Sequence, residues 1–307
     1  MNINACEIYN QNTINITKAT HHYADVQLKL SAGRKVVNPS DNPAATVQAL
    51  ECSHQLAALK QYDIARRHID SALSTQELVL NAVAGLLTTD LPAMLVMAGN
   101  GTYPANDRQV VAKKIDDIRT TLLDLCNTKN SQGRHIFSGY KTNVPAFSQQ
   151  GVYLGGEEPI VQTLSNNNDM QSSFLGSELF PEIEGVNLFT ALQHVIDELN
   201  TQPESDSSAE HLARALKKAD QALNHSLDQV GLVQARIGSS QQQLRVYENV
   251  YAEQKIQQEG RIAEAVGADN ESIVQLISQL KMAELTLNLS QLAFQNMQRL
   301  SLFSGYQ

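Results

Sequence analysis

The 307-residue chain is 42% hydrophobic with only 5% aromatic residues and no tryptophan, a composition with room for more than one domain that argues against disorder throughout and suits extended helices better than a compact enzyme core. A formal net charge of -9 argues against nonspecific nucleic-acid binding and gives no support for attraction to an anionic membrane. Three widely spaced cysteines, Cys6, Cys52 and Cys126, without a C-x-x-C pair, point to small buried thiols and away from a disulfide framework or a thiolate metal site.

The first residues, Met1 to Glu7, lack a basic region and an apolar region, so no general secretory signal is expected, and no run approaches the roughly 18 apolar residues of a membrane span. Tyr9, Ile16, Tyr23 and Leu30 then fall at heptad spacing, with Ala5, Ala19 and Val26 on the adjoining seam. That is the a/d geometry of a coiled coil, which needs a partner helix. Gly33, Pro39, Ser40-Asp41-Asn42 and Pro43 predict an ordered joint in which Asp41 or Asn42 caps the next helix and Pro43 enters its first turn. Apolar positions from Val47 to Leu87 keep helical spacing, and the helix is expected to run to about Met97, a rod on the order of 80 Å at 1.5 Å per residue, kinked or interrupted at Pro92.

A glycine-rich turn, Ala98 to Thr102, leads to Asn106-Asp107-Arg108-Gln109, which predicts an N-cap and a helix to about Asn127. Val111, Ile115, Ile118, Leu122 and Leu125 mark its buried face and leave Asp116, Asp117, Arg119 and Asp124 for solvent. From Gly133 to about Gly185 the periodicity changes: Ile136-Phe137, Val152 to Leu154 and Ile160 to Leu164 are short β-prone runs. Helical spacing returns at Leu188 to Leu199, pauses at Thr201 to Ser208 and resumes from Leu212 to beyond Tyr251. Gly260 and Gly267-Ala268-Asp269-Asn270 are expected to form the joint before a last helix. There Ile273, Leu280, Leu287 and Phe294 repeat every seven residues, flanked by Leu276, Ala283 and Met297.

Leu285, Leu289 and Leu292, running on to Leu300, widen the apolar arc of that helix beyond one partner. Either a buried helix in a bundle or an assembly surface accounts for it. The fold class read from these patterns is mainly α with a small β-rich insert, an elongated helical rod whose N- and C-terminal helices pair as a coiled coil on assembly. Three parts follow: residues 1–42 with 268–307 as a terminal coiled-coil assembly domain, 43–132 with 186–267 as a long-helix core, and 133–185 as a small insert.

The segment Leu30-Ser-Ala-Gly-Arg-Lys-Val-Val-Asn-Pro-Ser-Asp-Asn-Pro-Ala-Ala45 closely resembles the N-terminal signature of the bacterial flagellin superfamily. Ala98 to Thr102, Gly133-Arg-His-Ile-Phe-Ser-Gly-Tyr-Lys-Thr142, Pro145-Ala-Phe147 and the closing Met297 to Phe303 look like marks of its hook-associated protein 3 branch. The resemblance implies a structural subunit at the junction of flagellar hook and filament, exported unfolded through the flagellar type III system. The implied partners are other copies of itself in a ring, hook-associated protein 1, flagellin and a cytoplasmic export chaperone on about Asn270 to Gln307. It further implies an inner layer of paired terminal helices, an outward-facing insert, termini disordered before assembly, no catalysis and no cofactor. Cysteine is unusual among such extracellular proteins. A flagellin, or a cytoplasmic coiled-coil scaffold, is the alternative.

No catalytic or metal constellation emerges. His21 and His22 are adjacent, the other six histidines are scattered and none forms H-E-x-x-H, so surface histidines are expected. The pairs Arg66-Arg67, Lys113-Lys114 and Lys217-Lys218 read as solvated faces. The candidate assembly positions are Tyr9, Ile16 and Tyr23 on the first seam and Leu280, Leu287 and Phe294 on the last.

Overall fold

The computed structural model describes residues 2–100, 103–165, 168–183, 185–201 and 206–304, with the side chains of 2–6, 8, 206–208 and 300–304 left out. The Ala5 and Cys6 side chains, Gly101, Thr102 and the side chains of Leu300 to Phe303 therefore lie outside the described residues. The elements are α1 (Asn2–Ser31), α2 (Pro43–Gly85), α3 (Leu91–Ala98), α4 (Ala105–Cys126), β1 (Val161–Ser165), β2 (Asn168–Gln171), α5 (Gly176–Leu179), α6 (Leu188–Asn200), α7 (Asp206–Val266) and α8 (Asn270–Ser304). The chain is mainly helical with one small β element. It divides into two compact units, Met1–Lys60 with Ala252–Gln307, and Gln61–Tyr251.

In the first unit two joints end one helix and cap the next. Gly33, at φ 64°, closes α1, and the Asn42 side chain accepts the Ala45 amide at 3.1 Å to cap α2. Asp41 instead accepts the amides of Val37 and Asn38 at 3.0 and 2.9 Å, so the two candidate caps divide the work. Gly267, at φ 65°, ends α7, and the Asp269 carboxylate accepts the Ser272 amide at 3.0 Å to start α8. The joints are tied together: the Lys35 and Val36 amides donate to the carbonyls of Gly267 and Val266 at 3.2 and 3.0 Å. Gly260 does not belong to the joint; it lies within α7, because a helix tolerates a single glycine at a cost of about 1 kcal/mol.

The second unit is built around Ile69, Leu73, Leu80 and Val83 of α2, Leu91 and Leu95 of α3, Ile115 and Leu122 of α4, the apolar face of α6, and Val230, Val233 and Ile237 of α7. Pro92 does not simply break the helix. Its missing amide is accommodated by a π-helical turn, Leu86–Asp90, in which the Leu91 amide reaches the Leu86 carbonyl. This helical run, Pro43–Ala98, contains an 18-residue window of mean hydropathy 1.6, long and apolar enough to cross a membrane by length and composition alone. A third of that window is buried, and Leu80, Val83, Leu87, Leu91 and Leu95 of the same run belong to the core. Asn106 does not cap α4: the helix begins at Ala105 behind Pro104, whose carbonyl accepts the Asp107 and Arg108 amides at 3.0 and 3.1 Å.

Of the β-prone runs only Val161–Ser165 forms a strand, paired antiparallel with Asn168–Gln171 and bulged between Thr163 and Ser165. Tyr153 makes one isolated bridge with Phe147, α5 forms a single helical turn, and most of the other described residues of the insert are irregular chain packed around aromatic side chains. Phe147, Phe180 and Phe189 meet with ring centroids 4.8–5.9 Å apart. Asn187 caps α6 in a reciprocal capping box with Thr190.

Three side chains expected at the surface are buried. Arg119 donates from Nε to the Phe189 carbonyl at 3.1 Å and from its terminal nitrogen to the Gln149 carbonyl at 2.7 Å. Arg66 is held by Asp63 at 3.1 Å and Glu248 at 3.5 Å, and the His135 ring lies 2.7 Å from the Asn127 carbonyl. Each is buried because a partner on another segment replaces water, which helix periodicity alone does not reveal.

Candidate assembly interface

Within the first unit α1 packs along α8. The chain brings Lys35 to Gly267 at one end of the pair and Tyr9 to Phe294 at the other, with ring centroids 5.3 Å apart, so the helices run antiparallel. Extending that register by whole heptads sets Ile16 level with Leu287, Tyr23 with Leu280 and Leu30 with Ile273. Ala19 and Val26 of α1, and Leu276 and Ala283 of α8, are buried; Ile16, Tyr23, Leu280, Leu287 and Phe294 are half-buried, and Tyr9 is exposed. The six candidate positions thus lie along one seam. The Asn12 side-chain amide donates to the Met297 sulfur at 3.0 Å, a polar contact inside the seam that the apolar pattern does not announce.

The seam leaves apolar surface outside it. Leu285, Leu289 and Leu292 of α8 are 52%, 57% and 56% exposed, and Val274, Ile277 and Met282 on the same helix are exposed as well. In the same unit Val47 and Leu50 of α2 are exposed. Large apolar side chains grouped on one element in this way mark interaction surfaces in soluble proteins. Charge contributes little here: Lys29 pairs with Asp25 at 2.8 Å within α1, and Lys35 donates to Gln275 at 2.6 Å.

In the second unit the motif Gly133 to Thr142 is a fastening. The buried Gln76 side chain donates to the Ile136 carbonyl at 2.6 Å and accepts the Phe174 amide at 3.1 Å, while the Ser138 hydroxyl donates to the Val144 carbonyl at 2.8 Å. Gln76 and Arg119 hold the insert to α2 and α4 through its backbone carbonyls, a role no spacing in the sequence signals. Cys126 is buried and its thiol is pushed far above the usual range by desolvation, and Cys52 is buried too. Among the described residues no group of three or more His, Cys, Asp or Glu side chains is placed to hold a metal ion.

Comparison with known proteins decides the family. Residues 2–142 match the bacterial flagellin N-terminal helical region. The chain is 33% identical over 311 residues to flagellar hook-associated protein 3 of Escherichia coli (strain K12), with 96% of each chain covered. The chain belongs to the flagellar hook-associated protein 3 family. Its members are structural proteins of the flagellum, and the role of this chain is accordingly structural and flagellar. The fold agrees. A putative flagellar hook-associated protein from Vibrio parahaemolyticus superposes with a TM-score of 0.67 at 20% identity, covering 74% of this chain and 100% of the other. The flagellar junction protein FlgL from Legionella pneumophila gives 0.54 at 16% identity, covering 72% and 100%.

Proposed function

We propose that this chain is the adaptor between the flagellar hook and the flagellin filament. It is exported unfolded through the flagellar type III channel and self-assembles outside the cell through its terminal helices. One observation carries the reading: α1 and α8 use one seam on each other and leave the second apolar row of α8 uncovered. Covering the exposed halves of Leu285, Leu289 and Leu292 with a neighbour stabilises an assembly by about 1 kcal/mol each, a contribution repeated at every subunit of a ring.

Residues 1–42 with 268–307 form the assembly part, 43–132 with 186–267 the supporting helices, and 133–185 the outer insert. Copies of the same chain form the lateral neighbours, hook-associated protein 1 lies on the hook side and flagellin on the filament side. Before export a cytoplasmic chaperone covers the apolar surface of about Asn270 to Gln307. A narrow helical seam suits this route, since few buried contacts oppose unfolding for export.

Electron microscopy of cells lacking the gene, with an immunoblot for flagellin in the medium, tests the role. Bare hooks with flagellin shed into the medium are expected. Bare hooks without flagellin would make the chain itself the filament subunit, and normal filaments would remove it from the junction.

A further inference from the structure

The second unit contains a cavity of about 710 Å³ whose lining includes no aspartate or glutamate. One wall is a single face of α2, where His68, Ser71, Ala72 and Thr75 recur at helical spacing. The turn from Lys129 to His135 lines it as well, with Gln162 of β1 and Ser172 just after β2. The side chains of His68, Lys129 and Arg134 make no ion pair or hydrogen bond among the described residues. In a chain of net charge -9 this is an unusual surface. A second cavity places Asp124 in the same lining as Arg119, and a third sets Asp70, Glu77 and Glu248 around Arg66 and Arg245.

The two free cations are displayed from a prepared turn. Lys129 and His135 bridge across it, the Asn130 amide donates to the Arg134 carbonyl at 2.8 Å, and the Asn130 side chain accepts the amides of Gln132 and Arg134 at 2.9 and 3.0 Å. Gly133 at φ 76° allows the reversal. Beneath it, Gln76 and the His135 ring are buried and hydrogen-bonded, which fixes the floor. In the same motif the Ile136 carbonyl and the Ser138 hydroxyl are engaged in the bonds described above, whereas the Arg134 side chain is exposed.

We propose that this cavity binds an anionic saccharide. Lysine and arginine presented without internal counter-charges match sulfate or carboxylate groups through charge-assisted hydrogen bonds. The hydroxyl and amide groups of Ser71, Thr75, Gln132 and Gln162 match a polyhydroxylated ring, and the cavity lies in the volume range of roughly 300–1,000 Å³ that accommodates small organic ligands. Among the described residues no Phe, Tyr or Trp lines it, so the large aromatic platform on which bases stack in a nucleic-acid site is missing from the lining. The site is independent of the junction reading, because every lining residue belongs to the second unit.

Calorimetric titration of the full chain with a heparin-derived sulfated disaccharide tests the site, with uncharged lactose and inorganic sulfate titrated separately. Saturable binding of the disaccharide is expected, at least tenfold tighter than either control. The exposed pair Lys129→Gln with Arg134→Gln should weaken it tenfold or more with an unchanged circular dichroism spectrum. Ser71→Trp, which fills the cavity and removes no charge, should do the same. Absence of binding, unchanged affinity in both variants, or inorganic sulfate binding as tightly as the disaccharide would overturn the assignment.

Discussion

The rings of Tyr9 and Phe294, from opposite ends of the chain, lie 5.3 Å apart with their planes inclined at 48°. This contact closes the open end of the α1–α8 pair, and its other end is closed by the backbone bonds from Lys35 and Val36 to Gly267 and Val266. Between them the seam is thin: among the described side chains of α1 only Ala19 and Val26 are buried. A 30-residue helix held by so little apolar contact opens locally far more readily than the packed core of the second unit. Amides of α1 should therefore exchange at least a hundredfold faster than those of α4 and α6 in the free monomer. Equal protection in hydrogen-exchange mass spectrometry would refute the idea that the termini are the weakly held part.

Leu289 separates surface from seam. It is 57% exposed, so Leu289→Glu should change the unfolding free energy of the monomer little, within about 0.5 kcal/mol, yet abolish swimming in soft agar by placing a charge on the assembly surface. Leu287→Glu, on the seam, should lose motility and also speed amide exchange in α1. Normal motility of the Leu289 variant would exclude that row from the interface.

Much of this was legible in the sequence because heptad spacing is a direct record of helix geometry. Tyr9, Ile16 and Tyr23 share a face whatever they pack against, and so do Leu280, Leu287 and Phe294. The caps were half legible: Asn42 and Asp41 are both good acceptors, and only the path of Val37 and Asn38 determines which takes which amide. Arg119 and Gln76 were illegible for a different reason. Their partners are backbone carbonyls, those of Ile136 and Gln149 in irregular chain and that of Phe189 in the first turn of α6, and hydrophobic periodicity leaves no trace of which carbonyl a distant side chain reaches.

Arg119 should be among the costliest single positions in the second unit. Replacement by methionine keeps much of the apolar stem but removes the donors that reach the carbonyls of Phe189 and Gln149. With charged hydrogen bonds contributing about 1.5–3 kcal/mol each, Arg119→Met should destabilise the unit by about 2–4 kcal/mol. Denaturant melts followed by near-ultraviolet circular dichroism would measure it. A loss under about 0.5 kcal/mol would mean that water replaces the guanidinium.

Gly267 carries two constraints at once. Its φ of 65° disfavours any side chain, and an added Cβ would sit 2.8 Å from Cβ of Lys35. Gly267→Ala should therefore cost about 1–2 kcal/mol and loosen the bonds joining the two joints. Faster exchange of the Lys35 and Val36 amides, with the second unit unchanged, is the expected result.

The two joints should also fail together in acid. The Asn38 amide, followed by that of Val37, holds the Asp41 carboxyl below its ordinary value of 3.8, and the Ser272 side chain and amide do the same for Asp269. A depressed folded pKa means that the stabilisation is fully present above the ordinary carboxylate value and disappears as pH falls through the lower folded values. The α1–α8 pair should thus loosen below about pH 4, ahead of any change in the aromatic core of the insert. Asp41→Asn with Asp269→Asn retains an acceptor oxygen at each joint and removes the charge, so its exchange rates at Lys35 and Val36 should be nearly independent of pH between 6 and 3 once the intrinsic rates are divided out. An acid transition in that variant as steep as in the parent would place the sensitivity elsewhere.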